Sequence, residues 1–257
     1  MEDRRPIRGA VADEAAIAAL KQDMVYAFHI LERDGQGSGI AGHLTARLPG
    51  AQSFWSHQWG QGFDDVTYDD LIEADFELNT ITGRGRVNPT LHIHSRLYLA
   101  RRDVNCIVHT HGINAVALGA TGSNLEPFWV YGSIFHDDVA LFDEYDGVVL
   151  DKAEGDRIAE ALGPRRGVLL RNHGLLVADR SVRYACLDAL TLEHCCEAQL
   201  KAMAAGKLRL MPEAAARQSK QFVLAKETVD GNWNYLVRRL LREKPELRHE
   251  TPRRAAE

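Results

Sequence analysis

Two histidines stand one residue apart in the segment NCIVHTHG, and a third interrupts two apolar runs in GVLLRNHGLLVAD. NCIVHTH has the composition of a buried β-strand. Alternate side chains of a strand share a face, so His109 and His111 would project together from Cα atoms about 7 Å apart. That spacing lets both imidazoles reach one ion. Gly112 clears a side chain from the rim, or simply caps the helix that follows. His173, set between GVLL and LLVAD, is costly to bury unless hydrogen-bonded or coordinated. Each feature also has a plainer reading, the pair as two hydrogen-bonded histidines and His173 as a satisfied turn residue. Taken together, three neutral imidazoles suit zinc, iron, cobalt or manganese and leave a coordination position open, the mark of a catalytic site.

These side chains need elements to hold them. From Asp13 to about Arg33, apolar residues recur at helical spacing (Ile17, Leu20, Met24, Ala27, Leu31), and Asp34-Gly35 ends the run. GHLTARLPG and SFWSHQ follow as a strand pair, and the stretch to Val87 reads as a short helical turn, another strand and a glycine turn. Asn88-Pro89 supplies an N-cap and an N1 proline for LHIHSRLYLARR. NCIVHTH is then a strand, GINAVALGATG a short helix, and the NHG segment a break between two apolar runs. Three helices close the chain, at about Val182–Ala205, Pro212–Lys226 and Gly231–Glu243.

Composition narrows the partners. The 257 residues are 45% hydrophobic and 26% charged, ordinary for a globular protein, and one domain over 1–257 is expected with tails at 1–10 and about 248–257. No apolar run reaches the roughly 20 residues of a membrane span and no secretory leader is evident, so a cytoplasmic protein without membrane partner is expected. A formal charge of −5 without a basic stripe argues against nucleic acid and for a small-molecule ligand. Cys106, Cys186, Cys195 and Cys196 form no CxxC pair and read as buried small hydrophobes.

HSRLYLARRDVNCIVHTHG, with LLRNHGLLV some sixty residues later, resembles the class II aldolase and adducin-head family. The likeness runs from the opening helix through GHLTARLPG to LEHCCEAQLKAMAAG. It implies an α/β fold, a three-layer α/β/α sandwich around a mostly antiparallel sheet, and assembly as a homo-oligomer, often a tetramer. It also implies one divalent metal ion, zinc foremost with iron, manganese or cobalt as alternatives, held by His109, His111 and His173.

Departures from the family pattern bear on the chemistry. Sugar-phosphate aldolases carry a glutamate four residues before the histidine matching His94, and Thr90 stands there instead. Their serines and phosphate loop are also missing, so a phosphorylated sugar is not the expected substrate. The expected proton-moving residues are His92 and, by the family's use of a tyrosine from this region, Tyr131; His136 is a further candidate acid or base. His92 and His94 lie about 200° apart around a helix and cannot both face one ion, leaving His94 to packing or a supporting hydrogen bond. Arg47 would meet a substrate carboxylate or, more commonly, point outward from its strand. Met24, Trp55, Trp59 and Phe63 read as core. The expected activity is a metal-dependent carbon–carbon lyase, aldolase or decarboxylase, acting on a small non-phosphorylated hydroxy- or oxo-acid. An iron(II) oxygenase or oxidative decarboxylase acting on an aromatic or keto acid through the same three histidines, and a non-catalytic adducin-like interaction module, are the competing readings.

Overall fold

Among the described residues eight short strands form one sheet, and the apolar residues on both sides of its central strands require cover on both faces. The strands are β1 (His43–Ala46), β2 (Ser53–Ser56), β3 (Ile72–Asp75), β4 (Thr80–Thr82), β5 (Cys106–Thr110), β6 (Val139–Phe142), β7 (Gly167–Leu170) and β8 (Gly174–Asp179). Their order in the sheet is β4-β3-β2-β1-β5-β8-β7-β6, antiparallel throughout except for the β6–β7 pair. The computed structural model describes residues 8–144, 147 and 151–248. The tails anticipated at 1–10 and about 248–257 lie outside the described residues, apart from 8–10 and 248.

Among the described residues seven helices make the outer layers: α1 (Arg8–Arg33), α2 (His92–Ala100), α3 (Ile113–Ala120), α4 (Lys152–Leu162), α5 (Val182–Ala205), α6 (Glu213–Val223) and α7 (Lys226–Glu243). Alternation along β5 shows how the layers form. Cys106 and Val108 enter a core with Phe28 and Leu31 of α1, Ala115 of α3, Ala189 of α5 and Trp233 of α7. Ile107 enters a separate core with Leu97 and Tyr98 of α2 and Ile158 and Leu162 of α4. The result is an α/β fold with a mostly antiparallel sheet between two helical layers. Among the described residues no helix is long and apolar enough to cross a membrane.

Several elements differ from their sequence reading. α4 and β6 were not anticipated. α1 begins at Arg8 rather than Asp13, and α7 at Lys226 rather than Gly231. Arg47 does not point outward: it is 4% exposed, and its guanidinium donates to the carbonyls of Val104, Tyr98, Arg101 and Ala51. Those carbonyls close the far end of the α2 layer, so the buried cation is held by backbone dipoles instead of a substrate. All four cysteines are buried and free, as their composition predicted.

Candidate metal centre

Three histidines meet where the C-terminal end of β5 faces the turn between β7 and β8. His109 lies on β5 directly opposite Leu176 of β8, and His111 sits one residue beyond the strand's last member, Thr110. Leu170 and Gly174 are register partners, so Arg171, Asn172 and His173 form a three-residue hairpin turn. Asn172 takes its left-handed position at φ 59°, a conformation asparagine tolerates better than most residues. The turn aims His173 back at β5. Gly174 is what lets the two segments meet, because a Cβ there would lie 2.3 Å from the Thr110 carbonyl oxygen and 3.1 Å from His111 Cδ2.

The ligand-bearing atoms of His109, His111 and His173 all lie within 4.8 Å of one another. Their ring centroids are 4.8, 4.8 and 5.0 Å apart, and the Nε2 atoms of His109 and His111 approach to 3.0 Å. His109 Nδ1 donates to the Leu175 carbonyl at 2.8 Å, which fixes the tautomer and leaves Nε2 with its lone pair facing the cluster. Burial, then His173 and His111, holds His109 well below the ordinary imidazole range; burial and His111 push His173 down to about 4, and burial lowers His111. The imidazoles are therefore neutral at neutral pH, as ligation requires. Converging lone pairs with a carbonyl behind one ring and a cavity in front fit a divalent ion.

The surroundings of the cluster are clamped from the loop after α1 and from α5. Thr110 Oγ1 donates to Gln36 Oε1 at 2.8 Å. The Glu193 carboxylate, on α5 and 5% exposed, accepts from the backbone N–H of Asn114 (2.8 Å), from Asn114 Nδ2 (2.8 Å) and from the N–H of Ala115 (2.9 Å). It thereby caps α3, whose own N-cap, Gly112, has no side chain to do so. A Cβ on Gly112 would fall 2.3 Å from Glu193 Oε2, so the glycine after HTH admits the carboxylate. Nothing local in the sequence marks Glu193 as a partner of a turn 79 residues away.

A cavity of about 300 Å³ opens over the histidines. His43, not anticipated as a site residue, lies in its wall: β1 pairs with β5 so that His43 faces His109, with rings 5.4 Å apart. Thr90 also lines the cavity. Its hydroxyl lies 2.8 Å from both Asn88 Oδ1 and His43 Nε2, while its N–H donates to the same Oδ1. An oxygen that accepts the N–H can only accept from the hydroxyl as well, so Thr90 takes the proton of His43 Nε2. This leaves His43 Nδ1 as a buried acceptor without a hydrogen-bond partner. Burial above all keeps His43 well below the usual imidazole range.

The other anticipated residues fall elsewhere. His92, the first residue of α2, is not in the cavity wall; burial lowers its pKa, with Lys152 acting in the same direction. Tyr131 is 52% exposed and packs edge-on against Trp129, and His136 lies 3.4 Å from the Asp137 carboxylate; neither lines the cavity. His94 is fully buried under His43, its Nδ1 2.8 Å from Thr45 Oγ1, and burial pushes it down to about 3. Met24, Trp55 and Phe63 are core, but Trp59 is not: it is 43% exposed and stands in the cavity wall. Gly60 and Gly62 beside it make a loop rather than a core strand, which explains the difference.

The model of the class II aldolase and adducin N-terminal domain matches residues 22–200. The chain belongs to this family. Within it, a 4-hydroxy-3-prenylphenylpyruvate oxygenase/4-hydroxy-3-prenylbenzoate synthase from Streptomyces roseochromogenus subsp. oscitans is 34% identical over 71% of this chain and 67% of the relative. Decarboxylase NovR from Streptomyces niveus is 35% identical over 70% and 67%. Among solved class II aldolases, an L-fuculose 1-phosphate aldolase from Glaciozyma antarctica PI12 superposes with a TM-score of 0.84 at 29% identity, covering 96% of this chain and 97% of that one.

Proposed function

We propose that this class II aldolase-family protein is a divalent-metal-dependent carbon–carbon lyase, of aldolase or decarboxylase type, acting on a small non-phosphorylated hydroxy- or oxo-acid. The observation that carries the reading is the preassembled set His109, His111 and His173 at the foot of a cavity. When bound there, the ion would supply Lewis-acid polarisation of a substrate carbonyl or hydroxyl. The chain's own contribution is to hold three neutral imidazoles together, with the His109 tautomer fixed by the Leu175 carbonyl, to line the cavity with Ile93 and Trp59, and to place His43 in its wall. Thr90 stands where family aldolases carry their glutamate and cannot carry a proton as a carboxylate does. We therefore assign proton transfer to His43, whose Nδ1 is the open acceptor, rather than to His92 outside the wall. Tyr131, being exposed, would join the reaction from a neighbouring copy in a homo-oligomer.

The similarity to the Streptomyces roseochromogenus oxygenase supports a second reading, in which the same three histidines would hold iron(II) for an oxygenase or oxidative decarboxylase. Elemental analysis of protein purified without added metal or chelator, with His109→Ala and His173→Ala alongside, separates the two. Near-stoichiometric zinc, manganese or cobalt lost in both variants, with oxygen-independent cleavage of an oxo-acid, is the expected result. Iron with oxygen uptake supports the second reading. Absence of bound metal even after reconstitution refutes both and leaves an adducin-like interaction module.

A further inference from the structure

The end of α1 reaches the histidine cluster from behind. Gly35 takes φ 80°, its N–H donates to the Glu32 carbonyl at 2.9 Å, and the Gln36 N–H donates to the Leu31 carbonyl at 3.0 Å, the paired bonds of a Schellman helix end. That closure fixes the backbone from which the Gln36 side chain, 1% exposed, enters the protein. Its amide makes three bonds. Oε1 accepts from Thr110 Oγ1 at 2.8 Å, while Nε2 donates to Asp34 Oδ2 at 3.0 Å and to the Ala189 carbonyl of α5 at 3.3 Å. Half a turn of the amide would set its oxygen against a carboxylate and a carbonyl, so the orientation is fixed and Thr110 must donate. Thr110 is fully buried and stands between His109 and His111.

The outer end of this chain is ionic. His194 on α5, its side chain 48% exposed, brings Nε2 to 3.0 Å from Asp34 Oδ1. The hydrogen bond to Asp34 raises the imidazole above its ordinary value, against the effect of burial. Glu193 and Glu197 on the same helix act in the same direction, Glu197 being paired with Lys201, and Arg33 and Arg239 line the cleft beside Asp34. Two consecutive residues of α5 thus brace the HTHG segment. Glu193 holds the first N–H groups of α3, and His194 acts through Asp34 and Gln36 on Thr110.

Resting on the reading of His109, His111 and His173 as metal ligands, we propose that Gln36 and Asp34 are positioning residues for the ion. The chain His194–Asp34–Gln36–Thr110 sets the approach of His109 and His111 and carries the protonation of a surface imidazole into the strength with which the ion is held. With His194 charged, both oxygens of Asp34 are pinned, one of them by a charge-assisted bond; with His194 neutral, that bond weakens. The added grip is therefore present below the raised His194 value and is lost as pH rises through it.

Competition for cobalt(II) between the full-length protein and a chromophoric chelator at pH 6.0 and 8.5, with the visible spectrum of the bound ion, tests this without relying on turnover. Gln36→Leu is expected to bind cobalt at least about tenfold more weakly than wild type, with an altered visible band. Thr110→Ser, which keeps the hydroxyl, should stay within about threefold and keep the native band. His194→Gln, which keeps a neutral donor, should bind about threefold more weakly than wild type at pH 6.0, the scale of a half-exposed ion pair, and equally at pH 8.5. Comparing the two proteins at each pH cancels proton competition at the ligands themselves. Native affinity and band in Gln36→Leu, a loss in Thr110→Ser as large as in Gln36→Leu, or a His194→Gln deficit that is absent or the same at both pH values overturns the proposal and leaves the metal site standing. Failure of wild type to bind cobalt overturns the metal reading and this inference with it. Should Gln36→Leu not fold, His194→Gln at a half-exposed position decides the matter.

Discussion

Glu193→Gln is the most informative single change, because it alters charge and donor pattern while preserving shape. In the native protein one buried carboxylate satisfies three N–H groups at the start of α3. An amide can still accept from Asn114, but its NH₂ then meets the N–H of Ala115, leaving a buried donor unpaired at about 1–3 kcal/mol. Loss of the negative charge at the helix N-terminus adds about 0.5–1 kcal/mol. The sum, about 2–4 kcal/mol, corresponds to a fall in Tm of roughly 5–15 °C for a chain of this size. His111 lies three residues before Asn114, so relaxation of the turn should also weaken metal binding about 10- to 100-fold, as supporting groups around a metal commonly do. Thermal melts of apo-protein and competition with a chromophoric chelator read the two effects separately. A Glu193→Gln protein with native Tm and metal affinity within twofold of wild type would refute the idea that this carboxylate sets the HTHG turn.

Gly174→Ala should lower Tm by about 2–12 °C, from an overpacking cost of about 1–3 kcal/mol, since its methyl would meet the Thr110 carbonyl. The same displacement separates His173 from His111, so metal affinity should drop at least tenfold in the chelator assay. Stability should also fall in acid: burial holds His57 down to about 4 from its ordinary 6.5, so the unfolded chain takes the proton first. The contribution is fully present above about pH 6.5 and is lost as pH falls toward 4, by at most about 3 kcal/mol. Melts of chelator-treated protein at pH 7 and 4.5 should show a shallower pH dependence in His57→Leu than in wild type.

The three histidines were legible because their placement depends on short-range rules, strand alternation for His109 and His111 and a polar break between apolar runs for His173. The family pattern then joined them. His43 was not legible as a cavity residue: GHLTAR was visible as a strand, but its register against β5, which sets His43 opposite His109, is a long-range choice. Trp59 reads as core because a tryptophan among aromatics usually is, whereas the loop that sets it in the cavity wall is pinned by Arg86 from another segment. Arg47 looked like a surface residue because its acceptors are backbone carbonyls of Val104, Tyr98 and Arg101, invisible to any side-chain pattern.

The three histidines hang from the ladder between β5 and β8, two central strands, whereas Asn88, Thr90 and Ile93 belong to a separate turn and helix laid against the sheet from outside. On the proposed reading, holding an ion and shaping that side of the cavity thus fall to different parts of the chain. Mutations in the short stretch from residue 88 to 93 can exchange one wall of the cavity without altering the distance between the histidines. A wall built on its own short stretch can be varied apart from the histidine cluster, which makes residues 88 to 93 a natural place to engineer the cavity.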